Sequence, residues 1–125
     1  AKLPPASLYN TSGRVTPDVA AVGTCYKVFS GGGPVGTLSG TSASTPTFAG
    51  MISRINDERA AKGKPTVGFV NPVLYKAGGS VGTDIVSGNN KKIACKAGFP
   101  ATPGFDAVTG LGTPLWGRLH TLLDA

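Results

Sequence analysis

The chain has 125 residues, a net charge of +6 and a pI near 9.6, with 40% hydrophobic residues, 19 glycines and 10 prolines. That length allows one domain with one core, residues 1–125, and the glycine and proline content requires many loops. No run of 18 apolar residues can form a membrane span, and the dispersed basic residues, densest at Lys91-Lys92 and Lys62/Lys64 without interleaved aromatics, exclude nucleic acid as an expected partner.

Residues 1 to 14 read as irregular, because Pro4-Pro5 and Gly13 break any periodicity. The chain opens Ala1-Lys2-Leu3-Pro4 without a methionine or a leader, so a processed or excised product is expected. Asn10-Thr11-Ser12 is a glycosylation sequon, consistent with secretion. Val15 to Val22 is expected to form a short buried strand, with Asp18 bonding local backbone N–H groups in a turn. Cys25 to Phe29 and Val35 to Leu38 read as a hairpin around Ser30-Gly31-Gly32-Gly33-Pro34, which lacks the lysine and following helix of a phosphate loop. A long helix is expected over 42–61, ending at Gly63. Asn71-Pro72 should cap a short helix through Lys76 that Gly78-Gly79 ends. Thr113-Pro114 should open a last helix with Leu115, Leu119 and Leu122 on its apolar face.

The chemistry centres on Ser39-Gly40-Thr41-Ser42-Ala43-Ser44-Thr45-Pro46. Phe48, Met51, Ile52 and Ile55 follow at i, i+3, i+4 and i+7, one apolar stripe, with Arg54, Asp57, Glu58 and Arg59 largely outside it. Pro46 belongs in the first turn of a helix, so the helix should begin close to Ser42. A serine there sits beside unpaired N–H groups and the positive end of the helix dipole, which would stabilise an oxyanion next to its hydroxyl. An ordinary N-cap serine fits the same spacing.

Ser39 to Pro46 resembles the nucleophile motif of the sedolisins, serine-carboxyl peptidases with a subtilisin-like fold that work in acid and whose fungal members include tripeptidyl peptidases. Asn10 to Ala21 (NTSGRVTPDVAA) and Val67 to Tyr75 (VGFVNPVLY) resemble the family's segments before and after the serine helix. Asp84-Ile85 and Gly104-Phe105-Asp106-Ala107-Val108-Thr109-Gly110-Leu111-Gly112-Thr113-Pro114 resemble its two calcium-binding stretches. Val15-Thr16 departs from the family, which more often has glycine and an aromatic there. The resemblance implies Ser42 as nucleophile and calcium held by the side chains of Asp84 and Asp106 with the carbonyls of Ile85, Thr102 and Gly104. Thr102 stands where the family often has glycine, and only a backbone oxygen is needed there.

The family's glutamate base, its orienting aspartate and its oxyanion-hole aspartate come from segments that precede this sequence. The six acidic residues here are Asp18, Asp57, Glu58, Asp84, Asp106 and Asp124. Asp57 and Glu58 lie about four turns up the serine helix, beyond reach of Ser42. His120, the sole histidine, reads as structural in the last helix. Cys25 and Cys95 permit one disulfide; the resemblance implies that Cys95 bridges to a cysteine in the absent part, so that here it pairs with Cys25 or stays free.

The expectation is therefore an α/β, partial subtilisin-like sedolisin domain with short strands, a long serine helix and a calcium-loop region. It would be the carboxy-terminal segment of a secreted peptidase, inactive alone. Its expected partners are the missing amino-terminal part and, in the intact enzyme, a peptide or protein substrate, with no membrane. The alternatives are one chain of a cleaved two-chain peptidase, or a binding or signalling protein derived from a peptidase remnant.

Overall fold

The computed structural model describes residues 3–124, a mixture of helices and short strands. Two compact units divide the chain: one holds residues 3–20 with Phe69–Leu122, the other Ala21–Gly68 with residues 123–124.

The second unit carries the hairpin and the long helix. Strands β1 (Tyr26–Ser30) and β2 (Gly33–Leu38) pair antiparallel, Tyr26 opposite Leu38 and Ser30 opposite Gly33, with a bulge between Val28 and Phe29. The turn is two residues rather than the expected five, because Gly31 and Gly32 (φ 59° and 85°) together supply the left-handed pair that a tight hairpin needs. Helix α1 (Thr41–Ala61) matches the expected span. Its stripe is realised as the buried Ile55 with half-buried Phe48, Met51 and Ile52, while Arg54 on the outer face pairs with Glu58 at 2.8 Å. Arg59 closes the helix, its Nε donating to the Pro65 carbonyl and its Nη1 to that of Leu123. Asn56 Oδ1 accepts from the Val67 N–H at 2.9 Å and fixes the chain leaving the helix.

In the first unit, α2 (Asn71–Ala77) is capped at Val70 and not at Asn71, so Pro72 stands at the second helical position, where its missing N–H costs nothing. A 3₁₀ turn over Gly78–Val81 leads to β3 (Gly82–Thr83), which pairs antiparallel with β4 (Thr113–Pro114). Thr113-Pro114 is therefore strand, and the last helix, α3 (Trp116–Asp124), starts later than its proline suggested. Its buried positions are Leu119 and Leu123, one helical turn apart, whereas Leu115 is exposed because it precedes the helix. Leu74, Val81, Ala101, Leu111 and Leu119 form the buried apolar centre of this unit.

The strand expected over Val15–Val22 does not form. Among the described residues its ladder is limited to the Ala20 N–H on the Gly112 carbonyl and the Leu111 N–H on the Asp18 carbonyl, both at 2.9 Å. Pro17 brings no N–H, and a doubly buried strand needs a neighbour on each side. Gly110 (φ 62°) lets the backbones meet: a Cβ there would stand 2.3 Å from the Asp18 carbonyl oxygen.

Candidate functional site

Ser42 is the second residue of α1 and its side chain is exposed. The cap is Gly40 (φ 145°), which offers no side-chain cap bond, so the ordinary N-cap serine reading is not what the structure shows. The Ala43 and Ser44 N–H groups turn back to the Gly40 carbonyl at 3.0 and 3.4 Å. Among the hydrogen bonds of the described residues none uses the Ser42 hydroxyl. Pro46 falls at the sixth helical position and not in the first turn, so the Ser42 carbonyl also lacks the i+4 donor of a regular helix.

Neighbouring groups fix this turn without occupying the serine. The Gly40 N–H donates to the Gly23 carbonyl at 2.6 Å, and Ser39 Oγ accepts from the Cys25 N–H at 3.1 Å. The Val22 carbonyl accepts from Ser44 Oγ at 3.2 Å and from the Tyr26 hydroxyl at 2.8 Å. That hydroxyl also lies 2.9 Å from Thr47 Oγ1, which donates to the Ala43 carbonyl. A Cβ on Gly23 would meet Ser44 Oγ at 2.7 Å, so the close approach requires glycine there. Sequence reading missed Gly23, Tyr26, Ser44 and Thr47; only the glycine carries a local signal of close packing.

The serine has no base on its own helix. At 1.5 Å rise per residue, Asp57 and Glu58 stand about 22–24 Å along α1 from Ser42, and Glu58 is paired with Arg54. His120 lies on α3 with its ring 5.5 Å from that of Trp116.

The expected metal residues converge within the first unit. Asp84 Oδ2 accepts from the Gly104 N–H at 2.7 Å, while Asp84 Oδ1 is buried with no hydrogen-bond partner. Asp106 is buried; its Oδ2 accepts from the Thr102 N–H at 2.9 Å, and its Oδ1 from the Val108 and Thr109 N–H groups at 2.8 Å each. Burial opposes charge on Asp106, but the N–H groups of Thr102, Thr109 and Val108 and the Thr109 hydroxyl outweigh it and hold the carboxyl below its ordinary range. The carbonyls of Ile85, Thr102 and Gly104 accept no hydrogen bond from the described residues. Among those residues no group of three or more His, Cys, Asp or Glu side chains converges, so a cation here would rest on two carboxylates and carbonyls.

Asp18 does not bond local N–H groups through its side chain. Its Oδ1 accepts from Arg14 Nη2 and from the Tyr75 hydroxyl, both at 2.6 Å, because the turn brings Arg14 back on it and α2 presents Tyr75. Arg14 first, then Tyr75, keeps the Asp18 carboxyl below its usual range, and burial with the Asp18 bond raises Tyr75. Cys25 and Cys95 are exposed and free. No helix of the described residues is long and apolar enough to cross a membrane.

No family model matches the sequence. Curated proteins do. Aorsin of Aspergillus oryzae is 54% identical over 115 residues, covering 92% of this chain and 17% of its own length. Human tripeptidyl-peptidase 1 is 45% identical over 127 residues, and the bovine protein of that name 46%, each covering 98% of this chain and 23% of its own length. The chain belongs to the sedolisin family. It spans about a fifth of the length of the curated relatives it matches. The sedolisin motif residues are thus distributed over both units, Ser42 in one and Asp84 to Asp106 in the other.

Proposed function

We propose that this chain is the serine-bearing, carboxy-terminal segment of a secreted sedolisin-type acid peptidase and that it is catalytically inactive by itself. The observation that carries the reading is the exposed, unengaged Ser42 hydroxyl at the second position of α1, between Ser39 and Ser44 hydroxyls that are bonded elsewhere. In the intact enzyme Ser42 attacks the scissile carbonyl and forms an acyl-enzyme, losing its proton to a glutamate from outside this sequence. The free N–H groups at the start of α1 stabilise charge developing on the carbonyl oxygen. Without a base the neutral hydroxyl is a poor nucleophile.

The residues around Asp84 fit a calcium ion: a buried carboxylate oxygen without a partner and three unengaged carbonyls on a glycine-broken loop are the oxygen donors this cation takes. When bound, calcium neutralises the two carboxylates and cross-links them. Asp84 and Asp106, with the carbonyls of Ile85, Thr102 and Gly104, would hold it, and Asp84 and Asp106 already grip the 102–104 loop from its two ends.

The need for the missing part of the domain is supported by large apolar side chains left exposed, Phe69 at 77%, Phe29 at 70% and Val22 at 65%. The direct test is peptide hydrolysis at acidic pH by the 125-residue chain alone and after co-expression with the carboxylate-bearing portion of a sedolisin domain. The chain alone should be inactive and the pair active. Hydrolysis by the pure chain, lost in Ser42→Ala, would place a base within these residues and overturn the reading.

A further inference from the structure

Lys91-Lys92 is the only adjacent pair of basic residues in the sequence, and the peptidase chemistry does not use it. The pair stands on a loop, 91–98, whose ends are pinched together. The Asn90 N–H donates to the Phe99 carbonyl at 3.1 Å, the Phe99 N–H to Asn90 Oδ1 at 2.8 Å, and the Ala101 N–H to the Gly88 carbonyl at 2.9 Å. Asn90 Nδ2 also reaches the Ala107 carbonyl at 3.4 Å. Gly98 lets the two sides of this neck touch, since a Cβ there would lie 2.4 Å from the Lys91 nitrogen.

Beyond the neck the loop is held by little. Residues 91–96 are all exposed, Ile93 completely. Among the described residues the Cys95 N–H on the Lys92 carbonyl, at 2.9 Å, is the only backbone hydrogen bond within 91–98, and neither Lys91 nor Lys92 forms an ion pair. An endopeptidase has to draw extended chain into its cleft, so it cuts where few bonds must open first. The other basic residues of the described chain are poorer targets. Lys27 lies in β1, Arg54 and Arg59 in α1, Lys76 in α2 and Arg118 in α3. Lys62 and Lys64 pair with Asp124, and Pro65 follows Lys64. Arg14 pairs with Asp18 and, like Lys96, has no basic neighbour.

We propose that the Lys92–Ile93 bond is a processing site for an endopeptidase of the secretory pathway that requires paired basic residues, and that the cut leaves a two-chain molecule; the choice of enzyme rests on the secreted reading above. Carboxylate-lined pockets on such an enzyme take the Lys91 and Lys92 ammonium groups, which have no acidic partner to give up among the described residues. The enzyme's nucleophile bonds to the Lys92 carbonyl carbon, the C–N bond to Ile93 breaks, and the Ile93 nitrogen leaves with the electron pair and takes a proton. Water then releases Lys92 as a carboxylate. The halves stay together because the contacts across the cut survive it. β3 remains paired with β4, the Gly104 N–H stays on Asp84 Oδ2, and Leu111 and Leu119 stay buried with Leu74 and Val81.

The test is digestion of the 125-residue chain by a catalytic amount of a paired-basic endopeptidase, read by intact mass and by size exclusion. The digest should give fragments 1–92 and 93–125 alone, which co-elute in native buffer and separate in denaturant with a reductant. Lys92→Gln should slow the cut at least about 100-fold, and Lys96→Gln should leave it unchanged. A chain left intact under conditions that fully cleave a synthetic peptide 88–97, or a first cut at any other bond, overturns the proposal. Fragments that part in native buffer overturn its two-chain form. Because the endopeptidase is added to purified chain, these outcomes are separate from the secretion reading, which fails instead if the natural precursor stays in the cytosol.

Discussion

Replacing Asp106 by alanine tests whether this carboxylate organises the loop that carries Thr102 and Gly104. The substitution strands three backbone N–H groups, those of Thr102, Val108 and Thr109, now bonded at 2.8–2.9 Å. Hydrogen bonds to a charged acceptor contribute about 1.5–3 kcal/mol each. Thr102 and Val108 are only half-buried, so water can replace much of their loss, whereas Thr109 is buried and bears the full cost. The expected destabilisation is about 3–4 kcal/mol, or roughly 10–15 °C in Tm for a chain of this length. Asp106→Asn retains an acceptor for Val108 and Thr109 but turns an NH₂ toward the Thr102 N–H, which should cost about 1–2 kcal/mol. Thermal unfolding followed by circular dichroism in a chelator isolates the hydrogen bonds from any metal, and amide exchange at Thr109 localises the effect. A Tm drop below about 3 °C for Asp106→Ala would refute the reasoning.

Other outcomes follow from the same contacts. Asp18 has a folded pKa lowered by Arg14 and Tyr75, so its contribution is present above the unfolded carboxyl value and is lost as pH falls through the folded one. Asp18→Asn should therefore flatten the acid limb of the stability–pH curve while Tyr75→Phe removes about 0.5–1.5 kcal/mol, both measured by chemical denaturation at stepped pH. Gly110→Ala would place a Cβ 2.3 Å from a backbone oxygen at positive φ, and should lower stability by about 3 kcal/mol or prevent folding of the first unit, read by Tm and solubility. Ile55→Ala, at a side chain with no exposure, should cost about 2–5 kcal/mol by denaturant titration.

The local features were legible wherever the chain punctuates itself. The stripe from Phe48 to Ile55 located α1, and Gly31-Gly32 located the hairpin, although the turn proved shorter than the glycine run suggested. The apolar composition of Val15–Val22 describes a strand with neighbours on both sides, whereas among the described residues only 111–112 pair with it. Thr113-Pro114 carries the sign of a helix start but is held in strand by Gly82-Thr83, whose partners Pro114 and Thr113 lie 32 and 30 residues away, a pairing that no local pattern encodes. At the candidate site, Ser42 followed from the motif, whereas the bonds of Tyr26, Ser44 and Thr47 around it depend on tertiary placement. The sequence alone suggests a local backbone role for Asp18, because its contact with Tyr75 spans 57 residues.

Ser42 is proposed as the nucleophile of a peptidase whose base lies outside these residues. The decisive measurement is acid peptidase activity of the chain assembled with its carboxylate-bearing complement, for wild type and Ser42→Ala, with Tm determined on both. The expected result is a loss of at least about 10⁴-fold in kcat with stability within about 0.5 kcal/mol, since among the described residues the Ser42 hydroxyl makes no hydrogen bond. Activity retained in a folded Ser42→Ala assembly would contradict it.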